Sequence, residues 1–460
     1  MSARECLLRE SEPLDALVVG AGFSGLTAAR RLAAAGRRVR VLEARDVVGG
    51  RVRAARLAAR TVDVGGQWVG AGHERLMALA GEAGATLVAQ YDQGKHLLQI
   101  GDRLRRFSGV IPPASPLALA ETALAMQRIE WLKRGVRADA PWQHARAERL
   151  DALTLDQWRR RWVRSAGARA LFDAAARAIF CVEPAQISML GFLQYLRANR
   201  SLDYLVETTG GAQAFIVDGG MQQLARWLAD GLGDVVQTGA EVAAVDQRRE
   251  GVTVRLVDGS CHYARRLIMA IAPAATAAMT ITPACAERIQ LAQGMPMGSV
   301  IKCVIAYPRA FWREAGLSGE LVSNRSPLSP VFDASPADES IGVLAGFVAG
   351  RLATQYSGDD TARRDAVLAG LTNAFGPAAA EPLDYVDYDW TIDPYSHGCY
   401  VGVPTPGTLS RLGPALRRPT GRIHWAGTET ATAWTGYIEG ALESGERVAA
   451  EVDAALRTAH

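Results

Sequence analysis

Lysine is scarce in this sequence. It occurs only at Lys95, Lys133 and Lys302, in a chain whose basic residues are otherwise arginine. Cysteine is sparse too. Cys6, Cys181, Cys261, Cys285, Cys303 and Cys399 are scattered, with no CxxC pair. That spacing argues against a disulfide framework and against a zinc site. The seven histidines are dispersed, and no cluster of metal ligands stands out, so no metal is expected. No run of ~18 apolar residues is present, so nothing is expected to span a membrane. The N-terminal MSARECLLRESEP is charged and lacks the apolar core of a secretory signal. A reducing, cytoplasmic setting follows as the expectation. The net charge of +3 is too small to argue for nucleic acid or an anionic membrane as partner.

What is present points elsewhere. At 460 residues the chain exceeds one ordinary core, so two or three domains are expected. Residues 16–19 read as a short buried strand and run into Gly20-Ala-Gly22-Phe-Ser-Gly25. A helical pattern follows to Gly36, then a second apolar strand that ends at Glu43. Strand, glycine turn, helix, strand and acid form a dinucleotide-binding fingerprint. Gly20 allows the tight turn, Gly22 lets the backbone approach a pyrophosphate, and Gly25 lets the helix pack on the sheet. The helix N-terminus offers free N–H groups to phosphate, and Glu43 falls where a ribose acceptor is needed.

Two further glycine pairs follow, Gly49-Gly50-Arg51 and DVGGQWVG at 63–70. A nicotinamide enzyme needs neither. The stretches VVGAGFSGLTAA, VLEARDVVGGRV and DVGGQWVG resemble the FAD-binding segments of the flavin amine oxidase family, monoamine oxidases in particular. The resemblance implies FAD contacts at Arg45, Gly50, Arg51, Gly66, Gln67 and Trp68. It continues near the other end, where 422–449 read RIHWAGTETATAWTGYIEGALESGERVA. Carried over, Gly427, Thr428 and Glu429 lie near the phosphates, and Tyr437 and Ile438 near the flavin ring.

The stretch DPYSHGCYVG at 393–402 resembles the family segment whose cysteine carries FAD as a thioether. Cys399 matches that cysteine. Tyr400 and Tyr437 match two tyrosines that cage the amine in front of the flavin. Two phenol rings hold an amine by dispersion and quadrupole attraction without supplying a counterion. His397 departs from the pattern, which has glycine there. Residues 298–307, GSVIKCVIAY, alternate like a strand and resemble the family strand whose lysine holds a water against flavin N5. That places Lys302 in the reaction.

Residues 104–200 have helical periodicity and read as a helical substrate cap. In LDYLVETTGGAQ the resemblance implies Val206 as a gate and Gln213 as a substrate-facing residue. The backbone of Val242 is expected beside adenine. The fold expected is α/β. A Rossmann-like FAD-binding domain is assembled from 1–80, 215–290 and 395–460, with an α+β substrate domain from 81–214 and 291–394. The family's animal mitochondrial members end in a membrane helix, whereas this chain stops at RTAH and is expected to be soluble. The resemblance implies oxidation of primary, arylalkyl amines by dioxygen, and it is compatible with a homodimer. A polyamine or diamine oxidase, for which Glu207 is a candidate acid, and an amino-acid oxidase remain open. So does a non-enzymatic FAD protein.

Overall fold

The computed structural model describes residues 13–109, 113 and 115–458. Cys6 and the terminal Ala459 and His460 lie outside the described residues. The apolar run becomes the strand Leu14–Val19, followed by the helix Phe23–Ala34 and the parallel strand Val39–Leu42. Gly20 adopts φ +101°, the region where a side chain is costly. A Cβ added at Gly25 would come within 2.0 Å of the Gly20 carbonyl oxygen, so helix and strand meet only because that position is bare.

This sheet runs Val236–Gln237, Val39–Leu42, Leu14–Val19, Cys261–Met269, Val252–Leu256, Val242–Gln247 and Thr280–Thr282. The strand Cys261–Met269 serves two neighbours along one edge. Its first half pairs antiparallel with Val252–Leu256, and its end pairs parallel with Ile423–Trp425. The long helix Ile438–Arg457 then packs on Phe23–Ala34. At Gly445 an added Cβ would stand 2.5 Å from the Ser24 carbonyl, so this contact too depends on a bare position. One Rossmann-like sheet is thus built from widely separated stretches of chain.

A second, mostly antiparallel sheet runs Asp384–Asp389, Val300–Tyr307, Gly342–Ala349, Val331–Asp333, Leu317–Ser323, Lys95–Ile100 and Arg103–Phe107. The strand expected in 298–307 is Val300–Tyr307, and every residue of it is buried. Val304 and Ala306 pack with Leu57 and Val64 on one side, and Ile301, Cys303 and Ile305 pack with Trp312, Val367 and Leu371 on the other. The helical reading of 104–200 also needs correcting at its start, because Arg103–Phe107 is an edge strand returning through a turn at Gly101 and Asp102. Helices do fill the rest: Pro116–Lys133, Leu155–Trp162, Ala166–Phe180 and Met189–Ala198. The hydroxyls of Ser115, Thr154, Ser165 and Ser188 each accept an N–H from the first turn they precede, which fixes where these helices begin.

Cys261 is disulfide-bonded, which qualifies the expectation drawn from cysteine spacing. Cys181, Cys285, Cys303 and Cys399 are free and buried. Among the described residues no helix is long and apolar enough to cross a membrane, and no group of side chains is placed to hold a metal ion.

Gly25→Ala is expected to force helix and strand apart and to cost about 1–3 kcal/mol, read as a lower melting temperature. An unchanged melting temperature would show that the turn relaxes freely.

Candidate active site

A cavity of about 310 Å³ opens where the two sheets meet. Gly20, Gly22, Glu43, Arg45 and Val242 line it at one end, and Gly50, Arg51, Gly66, Lys302, Cys399, Tyr400, Gly427, Thr428, Tyr437 and Ile438 are among the rest of its lining. Seven of the residues singled out in the sequence, Gly25, Gln67, Trp68, Glu429, Val206, Glu207 and Gln213, stand off this wall.

At the first end the strand Val39–Leu42 delivers Glu43, which is 4% exposed. Its carboxylate accepts the Ala21 N–H at 2.7 Å and the Arg45 N–H at 3.1 Å, and so closes the glycine turn. Gly22 precedes the helix Phe23–Ala34, and no side chain caps that helix. Its free N–H groups therefore face the cavity, as an anion requires. A Cβ at Gly22 would meet nothing nearer than 3.9 Å, so the cavity itself, not protein packing, occupies that space. The helix Ile438–Arg457 also begins at the wall without a side-chain cap. One uncapped helix end, bare glycines and a buried acid fit a dinucleotide pyrophosphate and ribose, and the second uncapped end, at Tyr437, stands where a flavin ring would lie, which together is the fit FAD requires.

The middle of the cavity is closed by an ion pair. Arg51 reaches Glu429 with both guanidinium nitrogens, at 2.6 and 3.1 Å, and donates to the Tyr400 carbonyl at 2.8 Å. Glu429 also accepts the Gly402 N–H at 3.1 Å. Burial would push the Glu429 carboxyl up, but the Arg51 charge and its hydrogen bonds outweigh it and hold the group below the usual carboxylate range. For Arg51, burial pulls down and Glu429 more than compensates. Thr428 looks onto the cavity, yet its hydroxyl is engaged in the turn: it donates to the Tyr437 carbonyl at 2.8 Å and accepts the Gly436 N–H at 2.7 Å.

At the far end Lys302 is 1% exposed. Its ammonium donates to the Gly65 carbonyl at 2.8 Å and to Gln67 Oε1. It lies 5.7 Å from the Trp68 ring centre and 5.8 Å from that of Phe347. Burial lowers its pKa, and the buried Asp63 opposes that shift. Tyr400 packs edge-on against Phe347, and Tyr437 packs against His73 and Trp434. Burial raises both phenols, so both stay neutral. The Cys399 thiol is pushed up to about 12 by burial, with the Arg51 charge acting the other way. His397 adopts φ +55°, a region where glycine costs least, so the loop keeps a glycine-type backbone with a histidine in place. Val206 is 43% exposed on the short helix Leu202–Val206. Gln213 donates to the Leu205 carbonyl at 3.1 Å, and its Oε1 is buried without a partner among the described residues.

Several residues of the site were not singled out from sequence. Asp393 takes four hydrogen bonds, from Arg45, Tyr388, Tyr395 and Ser396. The Asp-Pro turn signal was available for it. Asp63 binds the Met221 N–H, and its setting beside a glycine pair was the only cue. His73 is fully buried and its pKa is pushed down to about 3, first by burial and then by Arg200. Its Nδ1 accepts the Gly70 N–H, and nothing in the sequence marks it.

The model of the family described as flavin containing amine oxidoreductase matches residues 23–453. The flavin-containing amine oxidase A of Equus caballus is 33% identical over 463 residues, covering 99% of this chain and 88% of that protein. Among solved structures, the cyclohexylamine oxidase of Brevibacterium oxydans IH-35A superposes with a TM-score of 0.92 at 29% identity, covering 97% of this chain and 100% of that one. A wild-type putrescine oxidase with putrescine bound gives 0.91 at 30% identity, covering 96% and 99%.

Glu429→Gln should cost about 3–5 kcal/mol, because it leaves the Arg51 charge without its partner. The Glu429 pKa is depressed in the fold, so the pair's stabilisation is complete above the ordinary carboxylate value and is lost as pH falls through the depressed one. Melting temperature measured against pH should therefore fall less steeply on the acid side for the variant. Parallel curves would show that the pair carries no such linkage.

Proposed function

The chain belongs to the flavin containing amine oxidoreductase family, and from that premise we propose that it oxidises primary amines, arylalkyl amines foremost, with FAD as cofactor and dioxygen as acceptor. One observation carries the substrate class. The tyrosine end of the cavity presents two half-buried neutral phenols, and the arginines of the wall are already paired, Arg45 with Asp393 and Arg51 with Glu429. An amino acid would need a free cation for its carboxylate. Lys302 is a poor one, because its ammonium is committed to Gly65 and Gln67 and burial weakens its charge. A diamine would need an acid for its distal ammonium. The carboxylates of the wall, Glu43 and Glu241, are held at the other end, by the Ala21 and Arg45 N–H groups and by the Tyr395 hydroxyl. Glu207 is not on the wall.

Bound FAD would supply the redox chemistry, accepting a hydride from the amine and giving the electron pair to dioxygen, with aldehyde, ammonia and peroxide as products. The protein's part is positional. Glu43 and the end of the helix Phe23–Ala34 would hold the nucleotide, and the helix end at Ile438 would face the flavin ring. Tyr400 and Tyr437 orient the amine without protonating it, which preserves the lone pair that drives oxidation. Lys302 fixes a proton donor at the reacting face. Cys399 would be the attachment point, holding the cofactor as a thioether at the 8α carbon; the thiol and the 8α carbon would each give up a proton, and dioxygen would take the electron pair. Burial pushes that thiol up to about 12, and the Arg51 charge opposes the rise.

Peroxide release from the FAD-loaded protein, measured over arylalkyl amines, α,ω-diamines and amino acids, tests the reading. Arylalkyl amines should give the highest kcat/KM, and a leading diamine or amino acid would overturn it. Tyr437→Ala should lower that kcat/KM about 100-fold, the scale of a 1 Å misplacement.

Attachment is read separately. After acid precipitation the pellet should stay yellow, and its intact mass should exceed that of the chain by one FAD. Cys399→Ala should release all its flavin. Free release from the unmodified protein would reduce Cys399 to a packed thiol.

A further inference from the structure

We propose that Asp393 is a positioning residue that couples occupancy of the nucleotide end of the cavity to the seating of the loop carrying Cys399 and Tyr400. The inference rests on the dinucleotide reading of that cavity. Asp393 stands where three parts of the molecule meet. Its Oδ1 accepts Arg45 at 2.6 Å, the Ser396 N–H at 2.7 Å and the Tyr395 N–H at 3.0 Å. Its Oδ2 accepts the Tyr388 hydroxyl at 2.7 Å, from the second sheet. The side chain is 1% exposed, so these are charge-assisted contacts sheltered from water.

Each arm leads to a different part of the site. Arg45 follows Glu43 by two residues and gives its backbone N–H to that carboxylate at 3.1 Å. Its guanidinium lies 5.1 Å from the Tyr395 ring centre and donates to the Ser396 hydroxyl at 3.1 Å. Tyr395 in turn donates to Glu241 at 3.2 Å, beside Val242. Residues 394–397 therefore form wall at the nucleotide end, while Cys399 and Tyr400 form wall at the other. Between them the backbone passes through φ +55° at His397 and φ +130° at Gly398. Such a stretch persists only where its surroundings over-determine it. A ligand that touches Glu43, Arg45 and Tyr395 stabilises the anchored form over the loose one, and it shifts the loop by that difference in affinity.

The test uses the full cofactor-free chain with ADP, which offers adenine, ribose and pyrophosphate but no flavin. Hydrogen exchange is followed over 395–401. ADP should slow exchange there roughly tenfold or more, as fits one charge-assisted hydrogen bond. Asp393→Asn keeps an oxygen for the two loop N–H groups and loses the charge that holds Arg45. It should bind ADP within about threefold of the parent, show the same loop exchange without ADP, and lose the ADP-dependent slowing. A merely structural role would speed loop exchange with and without ADP alike, and that result overturns the proposal. So does full ADP-dependent slowing in the variant, or none in the parent when calorimetry shows ADP bound. Failure of ADP to bind the parent overturns the dinucleotide reading itself. Tyr388→Phe removes only the Oδ2 donor. If Asp393→Asn does not fold, this variant must show partial loss of the slowing, and full slowing in it counts against the proposal.

Discussion

A single guanidinium, that of Arg51, holds three distant stretches of chain in register. It meets the carboxylate of Glu429 and the carbonyl of Tyr400, and Glu429 reaches on to the N–H of Gly402. Two charges taken out of water are a net cost unless each is well matched. Here the match is two-pronged, and the remaining acceptor capacity is filled by a backbone N–H. The pair stabilises one arrangement of three segments more than it stabilises the chain in general. The cavity wall between the glycine turns and the tyrosines exists only in that arrangement.

The same economy of charge runs through the site. Cations and anions on the wall sit mostly with partners: Arg45 with Asp393, and Arg51 with Glu429. Lys302 has neutral oxygens as its hydrogen-bond acceptors, with Asp63 acting on it as a charge. Burial weakens the lysine's own charge, so the end of the cavity it shares with the tyrosines carries little net charge. A neutral reactant experiences dispersion and ring quadrupoles there more than net charge.

What the sequence discloses is what short spacing can encode. The glycine turn, its helix and Glu43 lie within one local unit, and their geometry follows from steric limits at three glycines. Lys302 is legible from its isolation, but the two-sided burial of its strand is not, because the covering layers come from residues near 57 and 367. The edge strand Arg103–Phe107 was hidden by arginines that look helical in composition, although Gly101-Asp102 is a two-residue hairpin signal. Asp63, His73 and Asp393 act on partners far away in sequence, and one chain without its fold does not display such pairings. The Cys261 disulfide is of the same kind, since spacing alone does not pair cysteines.

The doubly served strand Cys261–Met269 has a consequence for biosynthesis. Its N-terminal half finds Val252–Leu256 as soon as both emerge from the ribosome, but its last residues wait for Ile423–Trp425. At about 5–20 residues per second that wait is on the order of ten seconds or more. Throughout it the sheet carries an open parallel edge of buried-type residues, and Tyr437 has yet to be translated. Assembly of the cavity wall is thereby placed at the end of synthesis, because the strand that closes this edge and the tyrosine beyond it are among the last residues made.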